Sequence, residues 1–319
     1  MKIQYRAQSQ AGFTLVELMV AMTIGLLVSA AALQLFIGGA ITARLQEANA
    51  QLQDSGVFGI GYIAQDIRLA NYGNVSNPEL NDTATWGGIV LTGDATSGNL
   101  PFASVNSSWL SHSEGDNGWS GLSNVDAGAS DQLTIQFIAP NDMTNCEGEN
   151  VSAGDYIIQR YFLRKDMTTG AAATDYVLAC DANKKPTATG NPGVLSDIKE
   201  FGGASLGEAI IPRVDYVRFY LGTRIGNKFA YYTINQYRDA ATAARAATPA
   251  KAVPRILSVK IVTLVRSRDK INSKDIDAAT QSFDFPDIEG VKANDTTSKY
   301  IRRMYSTTIA IRNAMGEKI

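Results

Sequence analysis

Few side chains in this 319-residue chain are of a type and spacing that could do chemistry. The two cysteines, Cys146 and Cys180, stand 34 positions apart. A thiol acts as a nucleophile when a neighbouring group holds it as thiolate, and it pairs with a second thiol outside the reducing cytoplasm. No base stands near either cysteine, so a disulfide is expected if this part of the chain is exported, contributing roughly 3–4 kcal/mol on the chain-entropy account. The single histidine, His112, sits between two serines and reads as a solvated loop residue rather than a general base. With one histidine and two cysteines, metal centres built from four cysteines, from paired cysteines and histidines, or from several histidines are excluded. Residues 113–126 have the composition of a calcium loop without its ligand spacing or closing glutamate. Gly59-x-Gly61-x-x-Ala64 has the outline of a dinucleotide loop, but no strand precedes it. Lys251, Arg255, Lys260, Arg266, Arg268, Lys270 and Lys274 form a basic run that reads as a solvated face. Interleaved aromatics for a nucleic-acid groove are missing. No catalytic, cofactor-binding or metal-ligating residue is therefore expected, and no direct nucleic-acid binding.

Composition agrees with a folded, exported chain. Hydrophobic residues make up 45% and charged residues 19%, and the formal net charge is −2. That supports a sizeable core and excludes both a disordered chain and a strongly basic nucleic-acid binder.

One remaining ionisable residue is out of place. Glu17 is the only charge between Phe13 and Ala43, and the uncharged run Leu18 to Ala43 is long enough to cross a bilayer as a helix of about 39 Å. Lys2 and Arg6 precede it with no acid, which predicts a cytoplasmic N-terminus and an exported remainder. A secretory signal would have a shorter apolar stretch and a small-residue cleavage site after it; Ser29-Ala30-Ala31-Ala32 could serve, yet apolar residues continue well beyond. A plain signal anchor leaves Glu17 unexplained, because a carboxylate deep in lipid costs roughly 2–3 kcal/mol or more.

Gly12-Phe13-Thr14-Leu15-Val16-Glu17-Leu18-Met19-Val20 resembles the class III signal of type IV pilins and type II secretion pseudopilins. The resemblance implies that a prepilin peptidase cuts between Gly12 and Phe13 and methylates the new amine on Phe13. It also implies an assembly role for Glu17, whose carboxylate would pair with the Phe13 amine of a neighbouring subunit. No proline interrupts the helix near Gln34; Gly38-Gly39 could loosen it instead.

The helical pattern carries on past the membrane through Leu45, Leu52, Ile60, Ile63 and Ile67, with Gly56, Gly59 and Gly61 as blemishes and a stop expected at Tyr72, capped by Gly73. Residues 65–73 and the C-terminal stretch 302–313 resemble the PilW type of minor pilin. Strands are expected at 132–139, 156–164, 174–180, 209–221, 228–238, 255–266 and 299–313, with a short one at 86–92. The Ala-rich segment 239–249 reads as a short helix or a loop.

The expected fold is α+β. Residues 1–12 are a leader, 13–43 the transmembrane half of a long N-terminal helix, 44–73 its amphipathic periplasmic half, and 74–319 one antiparallel β-rich periplasmic domain. The resemblance implies a non-enzymatic minor pilin, single-pass in a bacterial inner membrane and later at a pilus tip. Its implied partners are the prepilin peptidase, other minor pilins, the major pilin and a PilY-class tip adhesin, with twitching motility, adhesion and DNA uptake depending on it. A J-type minor pseudopilin of type II secretion, or a membrane-anchored periplasmic enzyme or binding protein, are the other readings that the sequence leaves open.

Overall fold

A computed structural model of the chain describes residues 12–316, apart from 76, 103, 117, 185–197, 199, 204–206, 272, 274 and 275. Lys2, Arg6 and Lys274 thus lie outside the described residues.

Helix α1 runs unbroken over Leu15–Leu69, straight through Gly38-Gly39. Its first part is apolar and exposed all round, with a mean hydropathy of 2.2 in its most apolar window, long and apolar enough to cross a membrane. From Ala48 onward the pattern becomes one-sided. Ala48, Leu52, Gly56, Gly59, Ile60, Ile63, Ala64 and Ile67 are buried, at the three- and four-residue spacing of a single helical face.

The blemishes turn out to be the points of closest approach. A Cβ on Gly56 would lie 2.5 Å from the Tyr305 ring, and one on Gly59 would overlap Ile211, with the Ile211 Cδ1 at 2.8 Å. Gly61 faces open space. The helix stops at Leu69, three residues earlier than expected. Asn71 takes a left-handed φ of 67°, which asparagine tolerates. Its carboxamide accepts from the Gly88 N–H at 2.9 Å and donates to the Asn313 carbonyl at 2.9 Å, so tertiary partners end the helix before Gly73 can. Asn313 in turn donates to the carbonyls of Arg68 and Ala70, which the last turn leaves without helical partners. The far end of the chain therefore caps the N-terminal helix.

The strands form two four-stranded antiparallel sheets. In the first, β1 (Leu133–Ile138), β4 (Tyr156–Lys165), β5 (Tyr176–Ala182) and β6 (Glu208–Pro212) lie in the order β1-β4-β5-β6. In the second, β7 (Val214–Ile225), β8 (Lys228–Thr233), β9 (Arg255–Arg266) and β10 (Arg302–Ala310) lie in the order β10-β9-β7-β8. A small hairpin, β2 (Met143–Thr144) with β3 (Asn150–Val151), stands apart. α1 touches β6 of the first sheet and β9 and β10 of the second. One apolar core joins the helix to both sheets.

The expected strand over 209–221 is two strands, because Arg213 takes a φ of 58° and turns the chain from one sheet into the other. The expected strand over 228–238 stops at Thr233, whose hydroxyl accepts from the Gln236 N–H while the Gln236 side chain accepts from the Thr233 N–H. That reciprocal cap launches α2 (Ile234–Ala246), so most of the Ala-rich segment is helical, with Ile234, Tyr237 and Ala241 buried. At 86–92 there is no strand, only an isolated bridge from Ile89 to Ile135. Two backbone bonds, from the Gln136 N–H to the Gly88 carbonyl and from the Val90 N–H to the Thr134 carbonyl, make that bridge, and the Gln136 carboxamide adds bonds to the carbonyls of Gly87 and Asn99.

Candidate processing and assembly site

Gly12 and Phe13 precede the helix, and Phe13 is 89% exposed. A Cβ added at Gly12 would meet nothing within 4 Å. The Gly12–Phe13 peptide thus lies outside the helix and is exposed. Thr14 is the N-cap. Its hydroxyl accepts from the Glu17 N–H at 3.2 Å, and the Glu17 carboxylate accepts from the Thr14 N–H at 2.9 Å. This capping box satisfies two amides that the first turn leaves open and sets the carboxylate at the positive end of the helix dipole. The pattern Thr14-x-x-Glu17 carries that signal in the sequence, independently of the pilin resemblance that singles out Glu17. The same geometry holds the carboxylate one residue from the nitrogen that cleavage would turn into an ammonium.

Opposite the buried face, the lower helix presents Val57, Phe58 and Tyr62 to solvent around the open Gly61. The polar stretch 44–55 separates these side chains from the apolar segment, so they form a second exposed apolar patch, of a kind that marks contact with protein or lipid.

On the buried face, Asp66 is 9% exposed. The Tyr161 hydroxyl donates to its carboxylate at 2.8 Å and the Gln159 carboxamide at 3.1 Å. Burial pushes its pKa up to about 6, and those two donors oppose the rise. Since the folded pKa lies above the unfolded one, this group favours folding most below about pH 4, and the contribution fades as pH rises through 6. A shift of that size corresponds to roughly 3 kcal/mol. Asp66→Asn keeps an acceptor for both donors, so it is expected to raise stability relative to the parent at pH 7.5 and not at pH 4.5, by a few kcal/mol at most. Thermal unfolding of the detergent-solubilised chain at both values tests this. A difference between variant and parent that is the same at both would contradict it.

Cys146 and Cys180 are joined by a disulfide with a Cα–Cα distance of 6.1 Å. It ties the turn between β2 and β3 to the middle of β5, and both cysteines are buried. His112 departs from its expected place. It is only 8% exposed, stacked on Trp119 at 4.8 Å between centroids, with Nδ1 3.2 Å from Asp116 and Nε2 2.8 Å from the Ser107 carbonyl. Serine neighbours hid this, because the stacking partner is seven residues away. Asp116 of the acidic loop also bonds Arg238 at 2.6 Å, and Asn124 donates to Asp215 at 2.9 Å, so two of that loop's polar groups serve the interior. Among the described residues, no three metal-capable side chains converge.

The basic run is only in part a solvated face. Arg266 bonds Asp215 at 3.0 Å and Asp175, and Arg302 bonds Asp215 at 2.8 Å, all of them buried. Arg218 is buried between Asp131 and Asp287. Arg255 donates to the Ala314 and Gly316 carbonyls and anchors the C-terminal segment. These arginines hold strands and loops in register.

The comparisons with known proteins fall on the same parts of the chain. Residues 7–33 match the family described as "Prokaryotic N-terminal methylation motif". Residues 161–313, just under half of the chain, match "Type IV Pilus-assembly protein W". No curated protein sequence matches the chain. Among solved structures, it is similar to "Type IV-like pilin TTHA1219 from Thermus thermophilus", at 12% identity and a TM-score of 0.36, over 82% of this chain and 96% of that one. That likeness is too slight to carry a conclusion.

Proposed function

We propose that this chain is a type IV pilin of the PilW type, a minor pilin of the complex that primes pilus assembly and ends at the filament tip; the two family matches support the reading. The observation that carries the reading is the single helix α1, which joins an exposed apolar segment with a processing motif to a domain from 74 onward whose core it shares. In this reading residues 13–43 sit in the inner membrane, and 44–319 lie in the periplasm. Prepilin peptidase removes 1–12 and methylates Phe13. Other minor pilins and the major pilin then stack along α1, and a PilY-class adhesin sits above. Motility, adhesion and DNA uptake depend on the chain through assembly, and the role is structural rather than enzymatic. The match of 161–313 to a pilus-assembly family favours the pilus over a secretion system.

Processing is the first test. Intact mass from the membrane fraction is expected to show loss of residues 1–12 and one added methyl group. A mature chain beginning after Ala32 would rule the reading out.

Glu17 gives the second. After cleavage its carboxylate is within one helical turn of the Phe13 ammonium, and in an assembly it can serve a neighbour's. Glu17→Ala removes an acid from an apolar segment, so membrane insertion is expected to persist. Recovery of partner pilins in pull-down is expected to fall roughly tenfold or more at equal protein level, on the scale of removing one charge-assisted hydrogen bond from a buried site. Unchanged recovery would remove the pairing role.

A further inference from the structure

Where α1 leaves its apolar segment, the domain overhangs it. Arg44 is the first charge after the uncharged run, and Ala48, only about 6 Å further along the helix, packs on Ile271. The turn after β9 therefore comes down beside the helix at that level, with Arg268 and Lys270 exposed on it. Two clefts of about 560 Å³ each open between this turn and the helix, and they share Gln51 as a wall. Arg44, Glu47, Asp269 and Lys270 line the lower one. Arg268 and the turn 166–171 line the upper one, where Met167 beside it is 63% exposed. Tyr300 lies half-buried beneath, with Arg266, Lys270 and Arg302 over its ring at 4.9, 5.8 and 5.7 Å. The ring steadies Lys270 while leaving its ammonium outside.

Arg44, Arg268 and Lys270, with exposed Arg303 bonded to Asn49 at the same level of the helix, stand against Glu47, Asp166 and Asp269, an excess of one positive charge. If Phe13–Ala43 spans the bilayer, Arg44 is at headgroup depth and the turn is within about one Debye length of it, roughly 8 Å at physiological salt. Cations at that height meet lipid phosphates before anything else, and an exposed methionine with a half-buried tyrosine suits the same boundary layer.

We propose that the rim of Arg44, Arg268 and Lys270 binds the phosphates of anionic phospholipids in the leaflet from which α1 emerges. The proposal rests on the membrane-anchored reading given above and adds what the anchor alone lacks. A lone helix leaves its domain free to rotate about the helix axis. Contacts on one side of α1 fix that rotation and so fix the direction in which Val57, Phe58 and Tyr62 point within the membrane plane. A subunit waiting in the membrane would then offer its stem to a partner in one orientation.

The test uses the full chain in nanodiscs of phosphatidylcholine alone, or with a third of it replaced by phosphatidylglycerol. Amide exchange in 44–51 and 267–271 is expected to slow roughly tenfold in the anionic discs, on the scale of two basic residues near a charged surface. Half-molar salt is expected to reverse this without any mutation. Arg268→Glu with Lys270→Glu is expected to abolish the slowing while the chain stays inserted with its disulfide formed. Equal exchange in both discs, or slowing that survives salt, overturns the proposal. Equal exchange with loss of partner pilins in the double variant overturns it too and makes the rim a pilin contact. A chain that enters neither disc overturns the anchored reading along with it.

Discussion

Gly59→Leu is expected to cost the protein about 3 kcal/mol and to loosen α1 from the sheets. Even a single carbon at Gly59 would overlap Ile211, which is fully buried at the start of the turn from the first sheet into the second. Ile211 cannot retreat cheaply, since the core behind it runs through both sheets. Overpacking in a tight core typically costs about 1–3 kcal/mol, and a leucine forced between a helix backbone and a fully buried isoleucine stands at the upper end of that range. Gly61→Leu, two positions on, meets nothing within 4 Å. It replaces a poor helix residue with a good one and is expected to leave stability unchanged or raise it by up to about 1 kcal/mol. Thermal unfolding of both variants in detergent separates the two sites. Similar melting for both would mean that Gly59 does not seat the helix on the domain.

Deleting the gene is expected to remove surface pili almost completely while the major pilin goes on accumulating in the inner membrane. A filament of stacked helices needs a first layer, and the subunits that make it are required once per filament and not once per repeat. The stem Phe13–Leu69 is compatible with such stacking along its exposed apolar side. The domain behind it is bulky, with a long loop region before β1 and the added helix α2. Repeating that bulk at every position of a shaft is awkward, whereas a terminal position leaves one side open. Disabling retraction in the deletion strain is expected to restore a fraction of the filaments, because slow initiation then has time to yield product. Counting filaments by electron microscopy in the two strains checks both statements. Normal piliation after deletion would leave the priming role without support.

What was legible in the sequence follows from the range of the forces involved. The apolar run, Glu17 and the period of Leu52, Ile60, Ile63 and Ile67 are local, and α1 follows from them. Strand β9 appears at its expected bounds, because its alternation is clear over Arg255–Arg266. The disulfide needed only two cysteines and an exported compartment. Less legible were features set by distant partners. Asn71 ends α1 through bonds to Gly88 and Asn313, and nothing near Asn71 announces them. Gly56 and Gly59 read as flaws in a helix pattern because Tyr305 and Ile211, which require them, are far away in the chain. Arg266 reads as one cation in a solvated run, yet Asp175 and Asp215 hold it inside. Two signals are local: the caps Thr14-x-x-Glu17 and Thr233-x-x-Gln236 fix where α1 and α2 begin.

The most direct test of the priming and tip role is the amount of this subunit in sheared, purified pili, measured by quantitative mass spectrometry against the major pilin. The expected result is a mature chain beginning at methylated Phe13, present at a few copies per filament whatever the filament length. A ratio approaching that of the major pilin, rising with filament length, would make it a shaft subunit and contradict the account.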